Sequence, residues 1–306
     1  MSVLPSVVDA MRDTPIVALD RVGEELGLEG RLLAKLDCLM PGYSKKDRAA
    51  RSIVEEARLG GELAEGQTVV EMTSGNMGAG LAIVCAVLGH PFVAVMSEGN
   101  SVERARMMRA LGAEVVLVPQ GKGGRKGEVS GSDLKLVDDA TREIAAERGA
   151  FLAGQFARAG NPNAHESGTA PEIWRQTNGE VTAFCDFIGS GGTLGGAARF
   201  FSPRGVKCYA INPDSDEHPI QGGGYGYSGL RHLEDADIGG SLTVTGEEAR
   251  LHARLLAKRE GIFGGYSAGA NLAGAAKLLE GSEKGGIVAF VVCDSGLKYF
   301  STDLWE

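Results

Sequence analysis

The feature that most constrains the fold is a repeating order of short apolar run, glycine-rich turn and segment of helical period. Residues 68–72 read as a short strand, residues 73–78 as a turn, and residues 79–88 have helical spacing that ends at Gly89. The same order returns at residues 181–188, which precede a second glycine-rich turn and another helical segment. Such alternation is typical of βαβ units on a parallel sheet. We therefore predict an α/β protein built from doubly wound, parallel-type sheets.

Charge and composition argue against several kinds of partner. The 306 residues carry a formal net charge of -9, which disfavours nucleic acid and anionic membranes because both are bound mainly through clustered basic residues. No stretch reaches the ~18 apolar residues of a membrane span, and the N-terminus lacks the pattern of a secretion signal. The five cysteines form no C-x-x-C pair, and the five histidines show no metal-ligand spacing. We expect a cytoplasmic protein with reduced cysteines and no metal.

A segment with two neighbouring lysines opens a predicted helix. Residues 44–48 read SKKDR and precede apolar positions at helical spacing. A lysine in the first turn faces the positive end of the helix dipole, which disfavours its ammonium form, and burial would disfavour that form further. Such a lysine can serve as a nucleophilic amine that forms a Schiff base. An exposed first-turn lysine is the ordinary alternative, so the segment needs support from elsewhere in the chain.

Two glycine-rich turns lie between a predicted strand and a predicted helix. Residues 73–78, TSGNMG, offer backbone N–H groups and small hydroxyls to a carboxylate, and Asn76 adds an amide that could hydrogen-bond a phenolic oxygen. Residues 189–193, GSGGT, have the geometry for gripping a phosphate. This second turn matches neither the dinucleotide fingerprint nor the P-loop. Taken alone, each could be an ordinary turn.

Together, the three segments and their order resemble the cysteine synthase and cystathionine β-synthase branch of pyridoxal 5'-phosphate (PLP) enzymes. These enzymes have the tryptophan synthase β-subunit fold, also called fold type II. Further matches run from Thr14-Pro15 to Ser301-Thr302 and cover nearly the whole chain. The resemblance implies a smaller mobile domain at residues 40–157 and a larger, PLP-anchoring domain made of residues 1–39 and 158–306. It also implies an active site between the two domains and a homodimeric assembly.

The resemblance assigns individual residues to the cofactor and to the substrate. The expected cofactor-binding residues are Lys46, Asn76, Gly189, Ser190, Gly191, Gly192, Thr193 and Ser295. The expected substrate-binding residues are Thr73, Ser74, Gly75, Met77, Gln155 and Gly223. Lys46 would form the Schiff base and then act as the general base, Asn76 would bind the O3′ oxygen, and Ser295 the pyridine nitrogen. Asp294 is the alternative partner of that nitrogen.

The implied chemistry is β-replacement or β-elimination on a small β-substituted L-amino acid such as O-acetylserine or O-phosphoserine. A hydroxyl at the pyridine nitrogen cannot keep that nitrogen protonated, so the ring is a weaker electron sink. This favours expulsion of a β-leaving group, through an α-aminoacrylate intermediate, over transamination. The partners would be the amino-acid substrate and a small nucleophile, in amino-acid biosynthesis. A carboxylate at the nitrogen would reverse the argument.

The chain departs from the branch mainly on the substrate side. Met77 replaces a threonine, Met40 stands where an asparagine is usual, and Lys45 replaces an aliphatic residue before the cofactor lysine. Three alternatives therefore stay open. The chain could be a serine or threonine dehydratase or a diaminopropionate-type synthase of the same fold, or a catalytically silent PLP-binding homologue. A nucleotide-dependent oxidoreductase is the third, weakened by the missing dinucleotide fingerprint.

Overall fold

The computed structural model describes residues 3–121, 131–215, 218–221, 223–224 and 229–306, apart from the side chain of Ser132. Its strands are β1 Ile16–Ala18, β2 Arg31–Lys35, β3 Val69–Met72, β4 Phe92–Ser97, β5 Glu114–Val118, β6 Phe151–Leu152, β7 Ala183–Phe187, β8 Lys207–Pro213, β9 Gly240–Val244 and β10 Ile287–Val291. Its α-helices are α1 Asp20–Glu25, α2 Lys46–Leu59, α3 Asn76–Leu88, α4 Val102–Ala110, α5 Gly131–Arg148, α6 Gly160–Ala164, α7 Ala170–Gln176, α8 Gly192–Phe201, α9 Gly246–Glu260 and α10 Tyr266–Glu280.

The strands form two sheets. The larger sheet has the order β1-β2-β10-β7-β8-β9, and the smaller has the order β5-β4-β3-β6. Every pairing is parallel except that of β1 with β2. The predicted α/β fold with two parallel-type sheets is confirmed. The predicted domain limits stay a prediction, although the smaller sheet takes all its strands from residues 40–157 and the larger takes none from them.

The central strands are buried on both faces because helices cover each side of a parallel sheet. All residues of β4 and of β7 are buried. Most are apolar, but β7 contains Asp186, and Glu71 lies buried in β3. All five cysteines are buried and unpaired. A charge in such a strand is costly unless it has a partner, so both carboxylates must be compensated nearby.

Two strand-to-helix connections position the functional site. The chain passes from β3 through residues 73–75 into α3, and from β7 through residues 188–191 into α8. Both turns lie at the carboxyl ends of parallel strands, which is where α/β proteins bind ligands. The hydrophobic positions of α2 pack against α3, so the lysine at the start of α2 lies beside the first turn.

Backbone hydrogen bonds join the start of α2 to the segment that follows β10. The N–H of Lys45 donates to the carbonyl of Cys293 over 2.8 Å, and the N–H of Ser295 donates to the carbonyl of Tyr43 over 3.1 Å. Residues 43–45 and 293–295 are therefore joined by backbone contacts. Among the described residues, no helix combines the length and apolar character that a membrane crossing requires.

Candidate active site

One pocket receives both glycine-rich turns and the lysine segment. Its lining includes most residues predicted for the site: Lys46, Thr73, Ser74, Asn76, Met77, Gln155, Gly189, Ser190, Gly191, Gly192, Thr193 and Gly223. Gly75 and Ser295 are not among the lining residues. The fold thus gathers segments that are more than a hundred residues apart in the chain.

Lys46 is the first residue of α2, and its side chain is partly buried. Its Nζ lies 3.3 Å from the hydroxyl of Ser190 in the second turn. Burial, reinforced by the neighbouring charge of Lys45, lowers the pKa of Lys46 to about 8. Among the described residues, no carboxylate forms an ion pair with Lys46. About a tenth of this amine is therefore neutral, and hence nucleophilic, at pH 7, far more than of an ordinary lysine.

Lys45 has the opposite environment. Its Nζ pairs with the carboxylate of Asp186 at 2.5 Å, and both residues line the pocket. Burial opposes the charge of Lys45, but the Asp186 carboxylate outweighs it and raises the pKa of Lys45 above its ordinary value. Lys45 therefore stays a cation, whereas Lys46 can lose its proton near neutral pH, which separates the roles of two adjacent lysines.

The first turn is held by its own threonine. The Thr73 hydroxyl accepts hydrogen bonds from the N–H groups of Gly75 and Gly78, over 3.0 and 2.9 Å. The guanidinium of Arg104 donates to the carbonyl of Ser74 over 2.7 Å. Gly75 has φ of +135°, and a Cβ there would collide with the side chain of Arg104, so both the backbone conformation and the space require glycine at this position. Its glycine is structural, whereas its neighbours face the pocket.

The second turn forms a close-fitting cradle. Gly191 has φ of +80°, and a Cβ at Gly192 would lie 2.1 Å from the Oδ1 atom of Asn161. The Ser190 hydroxyl accepts a hydrogen bond from Asn161, and the Thr193 hydroxyl lies 3.3 Å from Nε2 of His165. The first N–H groups of α8 have no partner within the helix and point out of its N-terminus.

These groups fit a phosphate. Burial, together with the charges of Lys45, Arg48 and Lys46, holds the pKa of His165 well below its ordinary value, so its ring is neutral. The cradle therefore offers backbone N–H groups and hydroxyls, with the amine of Lys46 beside them. If the phosphate of PLP bound at residues 189–193, the amine of Lys46 would lie beside the bound cofactor. Among the described residues, no cluster of His, Cys, Asp and Glu suits a metal ion.

Gln155 is oriented by a residue that the sequence analysis missed. Its Nε2 donates to the carboxylate of Glu71 over 3.0 Å, and Glu71 also accepts the N–H of Gly154 over 2.6 Å. Burial raises the pKa of Glu71 to about 7. One signal in the sequence could have revealed both Glu71 and Asp186, since each is a charged residue within an otherwise apolar strand.

The two residues expected near the pyridine nitrogen are held by contacts with other residues. The hydroxyl of Ser295 accepts the N–H of Leu297, and the carboxylate of Asp294 accepts hydrogen bonds from Asn76 and Tyr299. Neither Asp294 nor Ser295 lines the pocket. Ser267, in the first turn of α10, does line it beside Cys293. The sequence analysis gave that serine no role.

Comparison with known proteins agrees with this geometry. Residues 7–294 match the family described as pyridoxal-phosphate dependent enzymes. Cysteine synthase 3 of Caenorhabditis elegans is 35% identical over 97% of this chain and 89% of its own length. The crystal structure of O-ureido-L-serine synthase superposes with a TM-score of 0.88 at 34% identity, covering 99% of this chain and 96% of that one.

A further structure, the O-acetylserine dependent cystathionine beta-synthase from Helicobacter pylori, superposes with a TM-score of 0.90. It is 29% identical and covers both chains completely. The resemblance to the cysteine synthase branch is thus confirmed, as is the predicted cofactor. The chain belongs to the pyridoxal-phosphate dependent enzyme family, and its cofactor is PLP.

Proposed function

We propose that this enzyme catalyses β-replacement or β-elimination on a small β-substituted L-amino acid, as a cysteine synthase-like protein. The observation that carries the proposal is the unpaired, partly buried amine of Lys46, 3.3 Å from the Ser190 hydroxyl at the start of a phosphate cradle. The names of the relatives refer to cysteine, O-ureido-L-serine or O-acetylserine, which points to a serine derivative with a leaving group on Cβ.

PLP, when bound, supplies an electron sink for negative charge at Cα of the substrate. Lys46 would be the attachment point of the cofactor, and its free amine would take the α-proton and return it. A pKa of about 8 suits both roles, because a general base works best when its pKa is near the working pH. Residues 189–193 would hold the phosphate, and Asn76 would donate to the O3′ oxygen.

The substrate carboxylate would bind at the turn made by Thr73, Ser74 and the residues next to them. Gln155 and Gly223 lie on the same pocket, and Met77 gives the turn an apolar side chain in place of a hydroxyl. For the pyridine nitrogen we propose Ser295, as the resemblance implies, and Ser267, which lines the pocket, is the alternative hydroxyl. A neutral hydroxyl leaves the nitrogen unprotonated, which favours loss of a β-substituent.

The first test asks whether Lys46 carries the cofactor. The purified protein should be yellow, its visible band should be abolished by borohydride, and Lys46→Ala should remove the band. Lys46→Ala should also lower turnover by about 10²- to 10⁴-fold, the range for loss of a general base. A protein that stays colourless when PLP is added would refute the assignment.

A substrate panel then separates the candidate reactions. O-acetylserine, O-phosphoserine and serine are each supplied with sulfide, with ammonia or with no nucleophile, and the products are identified by mass spectrometry. A new β-substituted amino acid supports β-replacement. A keto acid formed from serine alone supports the dehydratase alternative, and an unchanged visible spectrum with every amino acid supports the silent homologue.

Two further properties rest on other grounds: the homodimer on the family resemblance, and the cytoplasmic location on the buried, unpaired cysteines. We propose that the enzyme is a homodimer and that it works in the cytoplasm on a small amino acid and a small nucleophile. Light scattering on the PLP-loaded protein tests the first of these, since a dimer would have twice the 31.9 kDa mass of the chain. Fractionation of cells that express the tagged chain tests the second.

A further inference from the structure

Asn76 has two charged partners that lie behind the pocket. Its Nδ2 donates to Oδ2 of Asp294 over 2.8 Å, and its Oδ1 accepts from Nζ of Lys298 over 2.7 Å. Asp294 is fully buried and Lys298 is nearly so. Asn76 lines the pocket, whereas neither charged partner does. The two charges therefore act on the amide from the side opposite to the ligand.

These contacts determine which way the amide points. A carboxylate can only accept hydrogen bonds, and an ammonium can only donate them. Turning the amide by 180° would place its oxygen against Asp294 and its NH₂ group against Lys298, so that two favourable contacts become two repulsive ones. The amide of Asn76 is thus held in one orientation by the chemistry of both neighbours.

The same contacts decide what Asn76 offers to a ligand. Its Nδ2 carries two hydrogens, and Asp294 takes one of them. Its Oδ1 is occupied and polarised by Lys298, which strengthens the remaining N–H as a donor. Asn76 can therefore present an N–H group to the pocket, as an acceptor oxygen such as the O3′ of PLP requires.

We infer that Asp294 and Lys298 are positioning residues, which fix the amide of Asn76 as a hydrogen-bond donor to the cofactor. The inference rests on the place given to Asn76 in the proposed function. Both charges are themselves anchored: Lys298 donates to the carbonyl of Gly42 over 2.8 Å, and Asp294 accepts the hydroxyl of Tyr299 over 2.8 Å. The arrangement ties the orientation of Asn76 to the C-terminal segment that follows β10.

The experiment compares the visible absorption band of the PLP-loaded protein among variants. Lys298→Met removes one partner, and Asp294→Asn replaces the other with a side chain of the same shape that no longer dictates the amide direction. Each should shift the band and weaken PLP retention by about tenfold, the loss of one charge-assisted hydrogen bond. Tyr209→Phe is the matched control, because it removes a buried hydroxyl that donates to a carboxylate, Glu283, outside the pocket, and should leave the band in place.

A double variant separates positioning from general support of the fold. In an Asn76→Ala background there is no amide to orient, so Lys298→Met should cause no further shift of the band. Additive shifts, or a wild-type band in both Lys298→Met and Asp294→Asn, would overturn the inference. If Lys298→Met does not fold, Asp294→Asn and its combination with Asn76→Ala decide the question.

The readout keeps this inference separate from the proposed reaction. A protein that shows the expected band shifts but converts none of the proposed amino acids would refute the reaction and support the role of Asp294 and Lys298. A protein that catalyses β-replacement, with an unshifted band in both single variants, would support the reaction and refute the role of Asp294 and Lys298.

Discussion

The start of α2 and the turn at residues 189–193 face the same pocket but are built in opposite ways. The turn is neutral and uses glycine, hydroxyls and the unprotonated ring of His165. The start of α2 carries charge at each of residues 45–48, with a partner fixed for Lys45, Asp47 and Arg48. Within the described part of the chain, only Lys46 among these four lacks an oppositely charged or backbone partner. Lys46 is therefore reactive because its amine lacks an ion-pair partner among the described residues, whereas the ionisable groups beside it have partners.

Arg48 should give the largest effect on stability, because it is the most heavily paired member of the charged region. It donates to both oxygens of Glu172 over 2.6 and 2.7 Å and to both oxygens of Asp37 over 3.0 Å. Arg48→Met should lower the free energy of unfolding by about 3–5 kcal/mol, because the buried carboxylate of Asp37 loses its ion-pair partner and Glu172 keeps only Lys35. Urea unfolding measures this change.

The control for Arg48 is Arg142→Met, which breaks an exposed pair with Asp138 one helical turn away. The change there should not exceed about 0.5 kcal/mol. Equal effects in the two variants would show that burial does not distinguish the α2 network from surface pairs.

The pair of Lys45 and Asp186 should set the reactivity of its neighbour. Lys45→Met removes a cation that disfavours protonation of Lys46 and leaves Asp186 to favour it, so the pKa of Lys46 should rise from about 8. Each unit of increase leaves about tenfold less neutral amine at pH 7. The pH dependence of the rate at which the PLP-free protein takes up the cofactor measures this pKa.

Asp186→Asn is the opposite change and should lower the pKa of Lys46, since Lys45 then has no anion beside it. A pKa that moves the same way in both variants would mean that the pair acts through structure and not through charge. The double variant Lys45→Met/Asp186→Leu serves as the stability control, because removing both charges avoids leaving one of them buried alone.

Much of the site could be predicted because it depends on local patterns. The two glycine-rich turns could be located from the strand before and the helix after each of them, and parallel strands bring such turns to the same edge of a sheet. The partners of the charges could not be predicted, since the contact between Lys45 and Asp186 depends on the packing of segments 141 residues apart. The partner of the pyridine nitrogen stays a prediction for the same reason, because the choice of Ser295 over Asp294 depends on how the segment after β10 packs.

In the neutral turn at residues 189–193, PLP retention and stability should depend on side-chain volume and not on charge. Gly192→Ala places a Cβ 2.1 Å from Oδ1 of Asn161, so Asn161 or the turn must shift. PLP retention should fall about tenfold, and stability by about 1–3 kcal/mol, as for other overpacked positions. Gly23→Ala, in α1 with no atom within 4 Å of its added Cβ, is the control and should be neutral or slightly stabilising. Full PLP retention in Gly192→Ala would show that the cradle is not close-fitting.

Replacement of His165 should change the free energy of unfolding least of all, and only at acidic pH. Its pKa is depressed in the folded chain, so the unfolded chain takes up this proton first as the pH falls below about 6.5, and the folded state loses stability. His165→Gln should remove a slope of up to about 1.4 kcal/mol per pH unit between pH 6.5 and 5, measured by urea unfolding at each pH. Glu71, with a pKa raised to about 7, contributes with the opposite sign but equally in both proteins, so the difference isolates His165. Parallel stability curves for the two proteins would mean that His165 takes up its proton in the folded state, and that the turn at residues 189–193 is not neutral in acid.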